Sequence, residues 1–131
     1  MTLAAACPAP EPPPPVGDED DDIEIAPPPY DSLADRPCPT DSALTWENFG
    51  QPYVISWCTA CHSSSLDEVH RAAAPPDVNF DDLDGVRAQA EQIWNRSGDQ
   101  NNTMPPAGIA PALERAQLGE WLACGAPSRE D

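Results

Sequence analysis

The clearest periodicity in the chain lies at 81–98. Leu83, Val86, Ala90, Ile93, Trp94 and Ser97 recur at three- and four-residue spacing, which predicts a helix with one buried stripe. Asp81 or Asp82 stands where an N-cap is needed, acids crowd the first turn, and Gly98 supplies a stop. A second amphipathic stretch starts near Pro111, a residue suited to the first helical position, and runs to about Ala123. Leu118, Trp121 and Leu122 face inward there, and Gly125 and Pro127 end it. An earlier helix is predicted over 48–61, with Asn48 as its N-cap, Pro52 tolerated in the first turn, and Phe49, Tyr53, Ile55 and Trp57 as its bulky apolar residues. A short helical stretch at 66–73 should stop before Pro75-Pro76. Residues 99–110, rich in Gly, Pro, Asn and Gln, read as a loop. No segment alternates with the period of a strand, so the expected fold is all-α, three to four helices joined by long loops.

Composition changes the picture at the N-terminus. Eleven of the 18 prolines fall in the first 39 residues, beside the acidic run at 18–22. Such a segment has little apolar surface to bury and repels itself, so residues 1–37 are expected to be a disordered tail or tether. The foldable part is then 38–127, about 90 residues, followed by a short tail at 128–131. A core that small is marginal unless a covalent group or a disulfide supports it. The net charge is −17, made of −8 in residues 1–37 and −9 in residues 38–131, and all six basic residues are Arg. That balance argues against a nucleic-acid partner and for one with a basic docking surface, attracted in a salt-dependent way; plain solubility is the competing explanation. No apolar run approaches the roughly 20 residues of a transmembrane helix.

The chemistry concentrates in Cys58-Thr59-Ala60-Cys61-His62. Cys-x-x-Cys-His is the attachment motif for c-type haem. Two thiols about one helical turn apart reach two vinyl groups of one porphyrin, and the adjacent imidazole then meets the iron. Three other readings compete. A redox dithiol would want a βαβ setting, a zinc site would want a second pair of ligands, and a structural disulfide would leave His62 without a role. A sixth iron ligand comes from Met104, the one methionine besides Met1, held in the loop Asn102-Thr103-Met104-Pro105-Pro106. His70 is the alternative ligand, though only eight residues beyond His62. An open sixth position would instead suit a peroxidase or a gas-binding protein. Arg87 and Arg96 are either partners of haem propionates or solvated helix-face charges. Trp46, Trp57 and Trp94 are expected to pack in the core or against haem.

A helix ending in Cys-x-x-Cys-His, a later Met-Pro-Pro loop, and a terminal helix with Trp-Leu-Ala-Cys-Gly-Ala-Pro together resemble the small monohaem cytochrome c family over about 38–127. The resemblance implies a cytochrome c-like haem domain, one covalent haem c bound through Cys58 and Cys61, and His62 and Met104 as axial ligands. It implies an electron carrier rather than an enzyme, working with redox partner proteins as a monomer, or else an electron-entry domain of a larger redox enzyme. It further implies that the first and last helices cross, through Gly50 and Tyr53 on one side and Leu118, Trp121 and Leu122 on the other. It also implies that a carbonyl near Ala74-Pro75-Pro76 accepts the His62 N–H. The acidic tail departs from many soluble members of the family.

Haem attachment of this type implies an extracytoplasmic space such as the bacterial periplasm, where disulfides persist. Cys38 and Cys124 flank the expected domain and are predicted to pair; free thiols are the alternative. The remaining Cys7 follows Leu3-Ala4-Ala5-Ala6, which resembles a bacterial lipoprotein processing site. Cys7 is then the point of lipid anchoring, with the tail as its tether, unless the segment is an ordinary Ala-rich terminus.

Overall fold

The computed structural model describes residues 29–131. Residues 1–28 of the tail expected over 1–37, and the lipidation expected at Cys7, lie outside them. Four α-helices, no strands, and several short turns make up the described residues: α1 (Gln51–Trp57), α2 (Leu83–Ala88), α3 (Ala90–Ser97) and α4 (Ala112–Ala123). The all-α class is thus as expected. A single core holds Tyr53, Val54, Phe80, Val86, Ile93, Trp94, Leu118, Trp121 and Leu122. The stripes read from α3 and α4 face into it.

The N-terminal helix differs from its expected form. Thr45 takes the N-cap, its hydroxyl accepting from the Asn48 N–H, while Asn48 Oδ1 accepts from the Thr45 N–H at 2.7 Å. Asn48 is the third residue of this capping box rather than the cap. A π-helical turn, Trp46–Gly50, leads into α1, which stops at Trp57. Ile55 is 61% exposed and belongs to no buried stripe. The stretch at 66–73 reduces to a 3-10 turn, Glu68–Arg71, whose N-cap Asp67 accepts from the His70 N–H. The long helix expected over 81–98 is two helices. Asp82 caps α2 through Gly85, and Gln89, at φ −114° and ψ 16°, breaks the ladder before α3. Pro111 sits one place earlier than expected, at the N-cap of α4.

Tyr30, Leu33 and Arg36 correct the boundary drawn from composition. Tyr30 and Leu33 pack on the core, and the Arg36 guanidinium pairs with Asp99, whose side chain is fully buried. Asp99 also accepts from the Trp94 indole N–H at 2.7 Å, so its buried charge has a cation and a strong donor. The packed unit therefore starts near residue 30. Its two ends are tied together. Cys38 and Cys124 form a disulfide, and the Trp46 N–H donates to the Pro127 carbonyl at 2.7 Å. Trp121 of α4 packs on the first helical segment, with its ring centroid 6.1 Å from Trp46 and 6.2 Å from Phe49. A Cβ on Gly50 would overlap its indole, so glycine is required for this approach.

Candidate cofactor site

α1 delivers the motif to one end of the core. Its last turns continue beyond Trp57: Cys58 and Thr59 N–H both donate to the Val54 carbonyl, and the His62 N–H donates to the Cys58 carbonyl at 2.9 Å. This residual helical winding sets Cys58, Cys61 and His62 along one cavity wall. The cavity measures about 360 Å³, within the range of about 300–1,000 Å³ for cofactor sites. Met104, Pro105 and Pro106 line another part of it, and Trp57, Phe80 and Ile93 supply apolar surface.

The backbone around Met104 is pinned more than its prolines alone suggest. Its N–H donates to the Arg96 carbonyl at 3.0 Å, and its carbonyl accepts from the Ser97 hydroxyl at 3.0 Å. The Thr103 N–H also donates to the Arg96 carbonyl. The C-terminal end of α3 therefore fixes where the methionine loop lies, using carbonyls that a helix end leaves unpaired.

His62 Nδ1 lies 3.2 Å from the Val78 carbonyl. A carbonyl only accepts, so Nδ1 carries the proton, and in the neutral ring the lone pair for a metal is on Nε2. The acceptor expected near Ala74-Pro75-Pro76 is thus Val78, two residues further on. The backbone carries it there because the Phe80 N–H donates to the His62 carbonyl at 2.9 Å, and the Phe80 ring packs 4.9 Å from the imidazole. His70 is a surface residue, paired with Asp67 and 69% exposed, and does not line the cavity. Arg96 lines the cavity; Arg87 does not, and instead binds the Ala126 carbonyl and Asp131. Trp57 lines the cavity and donates to Glu114, whereas Trp46 and Trp94 are packing residues.

The thiols also discriminate between chemistries. Cys58 and Cys61 are not bonded to each other. Burial pushes the Cys58 thiol up to about 12, so it stays protonated at neutral pH. A catalytic dithiol needs the reverse, a thiol shifted down toward neutrality. Among the described residues no group of three or more His, Cys, Asp and Glu side chains is disposed to hold a metal ion. The cavity brings together the imidazole of His62, the thioether of Met104 and two thiols not bonded to each other, among largely apolar surface. That set suits a haem with covalent attachment.

Arg71, Val78 and Phe80 went unnoticed in the sequence, and Ser97 was read only as part of a buried helix stripe. Val78 acts through its backbone, which no side-chain pattern reveals. Arg71 did carry a signal, as the lone Arg between Pro37 and Val86, set in an Ala-Pro-rich run. No family model, curated protein or solved structure matches this chain.

Proposed function

We propose that the chain is a small c-type cytochrome, an extracytoplasmic electron carrier with one covalent haem. One observation carries this reading: Cys58, Cys61, His62 and Met104 line a single cavity, and the Nδ1 proton of His62 is already committed to Val78. When bound, the haem would supply a one-electron ferric–ferrous couple. The chain's own residues do the rest. Cys58 and Cys61 anchor through their sulfurs. The Val78 carbonyl fixes the ring orientation and tautomer of His62, which leaves Nε2 to ligate. The bonds to the Arg96 carbonyl and from the Ser97 hydroxyl hold the Met104 backbone, so its thioether would bind the iron without a large loss of entropy. Trp57, Phe80 and Ile93 exclude water, and thioether ligation in an apolar wall favours the reduced form. The net negative charge suits docking to a basic partner surface.

The test is expression with a haem-attachment system. A pyridine haemochrome spectrum should report one haem per chain, and the tryptic peptide containing Cys58 and Cys61 should carry the added mass. Met104→Ala should abolish the Met–iron charge-transfer band of the ferric protein and lower its potential, while haem content stays the same. A colourless protein, or an unmodified peptide, would overturn the proposal. An unchanged spectrum in Met104→Ala would remove Met104 as ligand and favour an open sixth site.

A further inference from the structure

Arg71 ends the 3-10 turn and is 4% exposed, on the wall of the same cavity. Its five N–H donors meet five neutral acceptors. Nε donates to the Ala74 carbonyl at 3.3 Å. Nη1 donates to the Ser63 carbonyl at 2.7 Å and to Asn79 Oδ1 at 2.8 Å. Nη2 donates to the Pro75 carbonyl at 2.5 Å and to the Val78 carbonyl at 3.0 Å. Five donors are all a guanidinium has, so none is left for a carboxylate of a ligand. Among the described residues Arg71 makes no ion pair; the three present join Arg36 to Asp99, His70 to Asp67 and Arg87 to Asp131. A buried cation held only by dipoles is an expensive arrangement. It is followed by Ala72 and Ala73 at φ 50° and 66°, two non-glycine residues in the left-handed region that also line the cavity. Strain of this kind persists where surrounding contacts over-determine the backbone, and the Arg71 fork supplies those contacts.

The Val78 carbonyl is where the fork meets the cofactor site. It accepts from Arg71 at 3.0 Å and from His62 Nδ1 at 3.2 Å, which fills both of its lone pairs. We propose that Arg71 is a positioning and tuning residue for His62. Its fork holds the Val78 carbonyl against the imidazole. Its own bond to that oxygen, and its unpaired charge, weaken the pull of the carbonyl on the Nδ1 proton. The inference rests on the haem reading above. In that setting a less imidazolate-like ligand and a fixed positive charge both disfavour the ferric state.

The experiment compares wild type, Arg71→Gln and Asn79→Asp as full chains. Haem content is measured first by pyridine haemochrome, then the potential, the His62 Nδ1–H proton resonance and urea unfolding. Asn79→Asp places a carboxylate against the guanidinium while keeping an acceptor there, at the expense of the Asn79 amide bond to the Pro76 carbonyl. Both variants should shift the equilibrium toward the ferric form by about tenfold, which is about 59 mV for a one-electron couple. The Nδ1–H resonance should move downfield in Arg71→Gln as its bond to Val78 strengthens. Arg71→Gln should also lose stability, and Asn79→Asp should keep it. If Arg71→Gln does not fold, the potential of Asn79→Asp decides. Variants with normal haem content and a ferric–ferrous equilibrium within twofold of wild type would reduce Arg71 to a structural brace and overturn the inference. A wild-type chain without covalent haem would overturn the functional proposal itself, before any potential is read.

Discussion

Asp81 and Asp82 are adjacent acids with different tasks. Asp82 caps α2, while Asp81 accepts from the Ser63 hydroxyl at 2.5 Å and from the Ser64 N–H at 2.8 Å. It therefore ties the turn after the Cys-x-x-Cys-His motif to the start of α2. The Ser63 hydroxyl first, and the Ser64 N–H second, hold its carboxyl below the usual carboxylate range. A folded-state value below the unfolded one means that the stabilisation is complete above about pH 4 and is lost as pH falls through the lowered value. Asp81→Asn should therefore be less stable than wild type at neutral pH, and the gap should close on acidification. Urea unfolding midpoints across that range would show it; a gap independent of pH would assign the effect to lost hydrogen-bond geometry instead.

The helices meet through close approaches that particular small residues permit. At Gly50 a methyl group would run into the indole of Trp121, which is fully buried and has no room to retreat. Gly50→Ala should cost about 1–3 kcal/mol by overpacking. Each kcal/mol should lower the melting temperature by about 4–8 °C in a domain of this size. Gly108 is the matched control, because a Cβ there meets nothing within 4 Å. Gly108→Ala should stay within about 0.5 kcal/mol of wild type. Equal effects at the two sites would mean that the Gly50–Trp121 approach does not govern stability. Sequence periodicity showed the inward stripe of α4 but not the interruption at Gln89, since Val86, Ala90 and Ile93 keep their helical spacing across it.

At the scale of the molecule, two chain ends and a small core must be held together. The disulfide spans a separation of 86 residues, and in the chain-entropy model such a loop contributes up to about 4–5 kcal/mol. A domain with a total stability of about 5–15 kcal/mol depends heavily on a tie of that size. Cys38→Ser with Cys124→Ser should lower the unfolding free energy by several kcal/mol. Reductant should lower the midpoint of wild type and leave that of the double variant unchanged. If reductant leaves the wild type unaffected, the two thiols are free in the native protein. Composition drew the domain boundary at residue 38 because Pro and acidic residues dominate everything before it. Tyr30, Leu33 and Arg36 lie within the same composition, yet they pack on the core through individual contacts that an average over the segment conceals.

Local chemistry was legible along the chain. A Cys-x-x-Cys-His run at the end of a helix, a methionine among prolines, the stripes of α3 and α4, and the all-α class all depend on near neighbours, for which spacing is sufficient information. Contacts between distant segments were decided by the tertiary structure. Only folding brings Met104 to the cavity of His62, sends the Nδ1 proton to Val78 rather than to the Ala74-Pro75-Pro76 stretch, and closes five acceptors around Arg71. Apart from the Asn79 side-chain oxygen, the acceptors are backbone carbonyls gathered from turns whose φ and ψ depend on the packing around them. Side-chain identity does not encode where a carbonyl will point.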